Sequence, residues 1–214
     1  MIIDKINQEI PFIRKGNFRI LFEDIKDNSY NQNIKNWLKT GKIISLKRGL
    51  YIFSSYWNKC QNKDEYLNYL SSILYSPSYV SKETVLAKYG MLTESVYGIS
   101  AISLKTFRVF SSDIAIFSYS KIKESLFMGF VEQSYVNNKY YIATKSKALF
   151  DYLYFYKRKM KIVDKYAVEE LRINFERMNT IDWREFEKFL AIAKSIKLEK
   201  IYKIIKKEYV PSSN

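Results

Sequence analysis

Hydrophobic and polar positions change period several times along the chain, and those changes predict its elements. Ile34, Trp37 and Leu38 fall at helical spacing while Lys35, Asn36 and Lys39 lie off that face. A helix is therefore expected from Ser29, whose hydroxyl can accept an orphan backbone N–H at the amino end. Gly41 follows Thr40, where a helix commonly ends in a left-handed turn. Ile43, Ile44 and Leu46 then read as a strand, Lys47-Arg48-Gly49 as a basic turn, and Leu50 to Phe53 as the returning strand. Ahead of this unit, residues 1–15 read as a short amphipathic helix broken at Pro11. Phe18 to Ile25 begins another helix, with Leu21, Phe22 and Ile25 inward, and Asp27-Asn28-Ser29 is the turn between helices. Helix, helix, helix and hairpin is the order of a winged helix-turn-helix.

The polar stretch Ser54 to Asn62 is the expected boundary between a first domain, 1–57, and a second, 58–214. Beyond it, Asp64 to Leu74 is amphipathic, with Tyr66, Leu67, Leu70, Ile73 and Leu74 apolar, and Pro77 stops it. In the stretch Pro77 to Gly90, Ser81 can cap a new helix that Gly90 ends, with Glu83 near its positive end and Val85, Leu86 and Tyr89 inward. Ile99 to Val109 and Ile114 to Ile122 alternate as strands do. Phe127 to Val136 and Lys139 to Ala143 form a hairpin across Asn137-Asn138, since asparagines tolerate positive φ. Thr144 caps a helix over Lys145 to Tyr156, with Ala148, Leu149, Tyr152 and Leu153 apolar. Val163 to Met178 reads as one amphipathic segment. Asp182-Trp183-Arg184-Glu185 has capping-box spacing and opens a helix to about Ile196, and Leu198 to Glu208 makes a last, basic helix with Ile201, Ile204 and Ile205 inward. The expected fold class is α+β: an N-terminal winged helix-turn-helix, then a mixed α/β domain with strands over about 96–143 and helices over about 145–208.

Composition sharpens this picture. The 214 residues are 47% hydrophobic and 17% aromatic, enough to bury a sizeable core. The formal charge is +14, from 36 basic and 22 acidic residues, which favours a polyanionic partner. Residues 1–57 carry 10 basic and 5 acidic groups, 58–142 carry 9 and 7, and 143–214 carry 17 and 10, so the excess sits at the two ends. One cysteine, Cys60, allows no internal disulfide. The start of the chain, MIIDKINQEI, has no long apolar core like that of a signal peptide, and no apolar run approaches a membrane span. The expected compartment is the cytoplasm, with no membrane partner.

Histidine is absent, which removes the commonest general base, the Ser-His and Cys-His nucleophiles and the usual zinc sites. The six glycines sit singly, so no phosphate-cradling loop is expected. Neither the Glu-x-Lys of two-metal nucleases nor a Gly-Ser followed by Asp-x-Asp occurs. The expectation is a protein that is not an enzyme and carries no metal or cofactor.

Three blocks resemble a known family. NWLKTGKIISLKRGLYIF, PSYVSKETVLAKYGMLTE and YIATKSKALFDYLYF occur in the order found in AbiEi-type antitoxins of bacterial abortive-infection toxin–antitoxin systems. Glu170-Leu171-Arg172 and the helix opening at Ile181-Asp182 resemble the family's carboxy-terminal part, so the resemblance covers nearly the whole chain. It implies a winged-helix domain that binds promoter DNA, at inverted repeats, and represses its own operon. It further implies a C-terminal domain that neutralises a nucleotidyltransferase toxin, with or without a stable complex. The first helices match the family least.

The residues themselves assign the candidate contacts. Gln32, Lys35, Asn36 and Lys39 are expected to face a groove, where Asn and Gln pair with adenine and Lys with guanine or phosphate. Lys47 and Arg48 are expected on backbone phosphates. In the last helix Lys197, Lys200, Lys203, Lys206 and Lys207 are the candidate toxin-neutralising surface, meeting an acidic protein or RNA. Two other readings fit the same residues: a winged-helix regulator unrelated to toxin neutralisation, and an antitoxin without DNA binding.

Overall fold

In a computed structural model the described residues are 10–21 and 27–210; side chains are described for these except 19–21, 27, 28 and 30. Over the described residues the molecule is mixed α+β, with two sheets. The expected inward positions Leu21, Phe22 and Ile25 lie outside the described side chains.

The smaller sheet has the order β1-β3-β2, all antiparallel, from β1 (Ile13–Arg14), β2 (Ile43–Lys47) and β3 (Leu50–Phe53). Residues 1–15 are expected as a short helix broken at Pro11; of the part described, Ile13 and Arg14 instead pair with Tyr51 and Leu50. Helix α1 (Lys15–Leu21) follows β1, and α2 (Asp27–Lys39) precedes β2. Asp27, Asn28 and Ser29, expected as a turn capped by Ser29, lie inside α2. Gly41 takes φ +65°, and the N–H groups of Gly41 and Lys42 donate to the carbonyls of Leu38 and Trp37. That left-handed exit turns the chain into β2, as expected.

Every residue of β3 is buried, because the sheet has two dry faces. Tyr51 and Phe53 join Ile13, Phe18, Ile34 and Ile43 in a small core beneath α1 and α2. Leu50 and Ile52, with Leu46 of β2, point the other way and belong to the main core. Burying three such side chains is worth ~2 kcal/mol each, about 6 kcal/mol together. That approaches the whole stability of a small domain, so the small sheet is welded to the rest of the molecule. The boundary expected at 57/58 falls inside a helix, α3 (Ser54–Lys59), whose Tyr56 and Trp57 rings pack on Tyr66.

The larger sheet has the order β6-β7-β5-β4-β9-β8. Its strands are β4 (Ser78–Val80), β5 (Ile99–Ser103), β6 (Arg108–Ser111), β7 (Ile116–Lys121), β8 (Phe130–Tyr135) and β9 (Asn138–Ala143). Ser78–Val80, expected only as the entry to the helix that Ser81 starts, is an inner strand between β5 and β9. The β8–β9 turn places positive φ at Val136 and Asn137, one residue earlier than the expected Asn137-Asn138 pair. Register sorts the faces. Val80, Ala101 and Tyr119 are aligned and lie under α4 (Lys63–Leu74), where Tyr119 Oη donates to the Ser71 carbonyl. Tyr79, Ile102 and Ser120 face the opposite layer, which holds α5 (Lys82–Lys88) and α6 (Lys145–Tyr156).

Thr144 caps α6 as expected, accepting from Lys147 N. Val163 to Met178 is not one helix. It divides into α7 (Lys165–Glu169), an extended bridge pairing Ile173 with Leu92, and a 3-10 turn, Phe175–Arg177, with Arg172 at φ +50° at the break. The capping box of α8 (Thr180–Ala193) is Asn179 with Asp182, three residues ahead of the expected start, because the Asn179 side chain accepts from Asp182 N. Helix α9 (Ile196–Tyr209) buries Leu198, Ile201, Tyr202 and Ile205. Leu38 and Tyr89, expected inward, are exposed. Among the described residues no helix is long and apolar enough to cross a membrane.

Candidate nucleic-acid interface

Helix α2 is held by one face. Ile34 is buried, and the Trp37 ring lies 5.5 Å from Phe18, which also contacts Tyr51 and Phe53. Opposite them, Gln32, Lys35, Asn36 and Lys39 are all exposed and share one face by their i, i+3, i+4, i+7 spacing. Gln32 Nε2 donates to Asn36 Oδ1 at 3.3 Å, and Thr40 Oγ1 donates to the Asn36 carbonyl at 2.8 Å. The first bond pre-orders two amides that both suit adenine. Arg48 is exposed in the two-residue turn before β3.

Lys47 behaves otherwise. Its Nζ donates to the Leu74 carbonyl at the end of α4 and lies 5.5 Å from the Phe110 ring. Burial, then the charges of Arg14 and Lys105, push its ammonium below the ordinary lysine range. A lysine bonded to an orphan helix carbonyl closes that helix end and fastens the hairpin to the body. Lys47 and Arg48 are adjacent in sequence but are used on different sides. Arg14, which the helical reading of residues 1–15 hid, is exposed on β1 opposite Leu50 and adds a cation beside the hairpin. No alternation marks it, since Phe12 and Ile13 are both apolar; pairing with β3 makes the strand.

The last helix divides similarly. Lys197 donates to the Met160 carbonyl, and Lys206 pairs at 3.0 Å with Glu187, which also accepts from Tyr202 at 2.7 Å. Lys200, Lys203 and Lys207 are exposed, and among the described residues they form no ion pair.

The second and third family-like blocks meet in the core. Lys147 and Asp151, one turn apart on α6, form a fully buried ion pair. Asp151 Oδ2 accepts from Tyr79 at 3.0 Å and from Ser81 at 2.7 Å. Ser81 stands at the helix start as expected, but its hydroxyl serves Asp151 and makes no cap. The Lys147 ammonium lies 4.9 Å from the Phe150 ring and 5.4 Å from that of Phe189. Gly129 admits this arrangement: a Cβ there would lie 2.4 Å from the Phe189 ring and 3.1 Å from Lys147 Cδ. Burial raises the Asp151 carboxyl pKa and lowers that of the Lys147 ammonium, while each partner's charge opposes the change. Both side chains are fully buried, and through Tyr79 and Ser81 the pair joins sheet to helix. Among the described residues no cluster of three or more Cys, Asp or Glu is arranged to hold a metal ion.

No protein-family profile matches the chain, and a comparison with curated proteins finds no match.

Proposed function

We propose that the chain is an antitoxin of the abortive-infection type: a winged-helix head that binds and represses its own promoter, on a body that neutralises a nucleotidyltransferase toxin and performs no chemistry itself. One observation carries the DNA half. Gln32, Lys35, Asn36 and Lys39 form a polar and cationic face, exposed among the described residues, on a helix whose other face is anchored by Ile34 and Trp37. Such a helix presents amides and ammoniums to base edges in a major groove, and Arg48 reaches flanking phosphates. The resemblance of the two later blocks to AbiEi antitoxins supports the other half. The tie between Tyr79, Ser81, Lys147 and Asp151 supplies a packing reason for those blocks to occur together. The neutralising surface is then narrowed to Lys200, Lys203 and Lys207.

An electrophoretic shift on the DNA upstream of the chain's own gene tests the first half. Lys35→Ala with Lys39→Ala should weaken binding ~10-fold or more and reduce the salt slope by about 2. Unchanged affinity would overturn the DNA reading. Co-expression with the adjacent toxin gene tests the second: the Lys200, Lys203 and Lys207 to Ala triple variant should lose rescue. A second reading, neutralisation without DNA binding, is favoured by the inward turn of Lys47, which leaves Arg48 as the cation of the hairpin turn; it predicts no shift at all and intact rescue.

A further inference from the structure

A cavity of about 860 Å3 opens between the start of α5, the loop 92–97, the end of α6 and the segment after α7. That volume lies within the ~300–1,000 Å3 of small-ligand sites. One wall is aromatic: the rings of Tyr152 and Tyr156 stack at 5.5 Å with 13° between their planes, and Tyr97 stands almost fully exposed. Three carboxylates, Glu83, Glu94 and Glu170, line the remainder. Two of them are ion-paired: Glu94 Oε1 lies 3.0 Å from Arg172 Nη1, and Glu83 Oε2 lies 3.8 Å from Lys82 Nζ. Glu83 Oε2 itself is buried and accepts no hydrogen bond, although the side chain as a whole is 37% exposed. Glu170 forms no ion pair among the described residues. The local field follows these charges: burial, then Glu83, Tyr156 and Glu94, push the Tyr152 hydroxyl up to about 12.

This is the reverse of the molecule as a whole. On a chain of formal charge +14, a cleft that gathers carboxylates around stacked phenol rings is a local sink for positive charge. The combination is selective. Carboxylates alone would serve any cation, whereas aromatic faces favour one that is weakly hydrated and carries apolar surface. A buried carboxylate oxygen without a donor also costs free energy until a donor arrives.

We infer that this cleft binds an organic cation, an ammonium or guanidinium on an aliphatic stem, between the Tyr152–Tyr156 wall and the carboxylates of Glu83 and Glu170. Two sources share that chemistry: a free polyamine, and a Lys or Arg side chain of a partner protein. Arg172 already occupies part of the charge of the cleft and competes with the ligand. The inference is independent of the DNA reading, because it uses none of the same residues.

Isothermal titration of the full chain tests it, with spermidine in one arm and an acetylated, amidated Arg-Lys-Arg peptide in the other, at physiological salt. Binding of either at micromolar to submillimolar concentration is expected. Glu170→Gln, an exposed position whose change leaves the fold intact, should weaken it at least 5-fold, and Glu83→Gln with Tyr156→Ala at least 10-fold. Arg172→Gly, which retains the left-handed backbone there, should tighten it several-fold. Spermidine alone binding assigns a polyamine, and the peptide alone binding assigns a partner side chain. No heat with either ligand up to millimolar concentration, or binding indifferent to Glu170→Gln and Glu83→Gln in variants with wild-type thermal transitions, would overturn the inference.

Discussion

Helices α2 and α6 look alike as strings. Each mixes apolar residues with two lysines a few positions apart, Lys35 and Lys39 in one, Lys145 and Lys147 in the other. Their fates are opposite. Both lysines of α2 are exposed on a free face, whereas Lys147 is fully buried and Lys145 pairs with Asp182 at 2.6 Å while donating to the Arg177 carbonyl. The difference comes from what lies over each helix. One flank of α2 meets the small sheet, and the other meets nothing among the described residues. Helix α6 is enclosed by the large sheet, α5 and α8, so even its polar positions must find partners inside. A lysine in an amphipathic pattern therefore signals a binding face only where a single layer packs on the helix.

The contrast can be broken in three places. The largest effect is expected in α6. Asp151→Asn strands the Lys147 ammonium in an apolar core and should cost about 3–5 kcal/mol in urea unfolding. Adding Lys147→Met should restore more than half, because the amide still accepts from Ser81 and Tyr79. A single-variant loss under ~1 kcal/mol, the scale of a surface pair, would make this lysine equivalent to those of α2. Lys35 and Lys39 should show the converse, with changes within ~0.5 kcal/mol on truncation.

Lys47 and Arg48 give the intermediate case. Lys47→Ala removes a charged hydrogen bond to the end of α4 and should cost about 1.5 kcal/mol, at the lower end for such bonds because the site is partly open. It should leave the salt slope of any DNA binding unchanged. Arg48→Ala should do the reverse, leaving stability intact and lowering that slope by about 1. Exchanged outcomes would place the phosphate contact on Lys47.

The smallest effect concerns pH. Hydrogen bonds from Tyr202 and Lys206 hold the Glu187 carboxyl below its ordinary range. Its pKa is thus lower folded than unfolded, so its contribution is present above about pH 4.5 and is lost as pH falls through the depressed value. Glu187→Gln should lower the melting temperature slightly at pH 7, within about 1 kcal/mol. The gap between variant and wild type should close in calorimetric scans taken below pH 4. A gap that persists there would mean that Glu187 acts through packing.

Local periodicity and turn chemistry were enough for much of the fold. The α2 span with its Gly41 exit, the β2–β3 hairpin, α4, the Thr144 cap of α6 and the β8–β9 hairpin are each specified by residues within a few positions of one another, and backbone geometry answers to such neighbours. Two strands escaped the pattern because their partners are distant. Ile13-Arg14 is a strand because β3 lies beside it, and Ser78–Val80 is one because β5 and β9 flank it. The same division runs through the candidate sites. Residue types and helical spacing were sufficient to nominate Gln32, Lys35, Asn36 and Lys39 as one face. Whether a given cation stays in water, as Arg48 does, or is drawn onto the Leu74 carbonyl or the Asp151 carboxylate, depends on desolvation and pairing among groups 4 to 72 positions apart. Pattern along a chain carries no record of those distances, and only the assembled layers decide them.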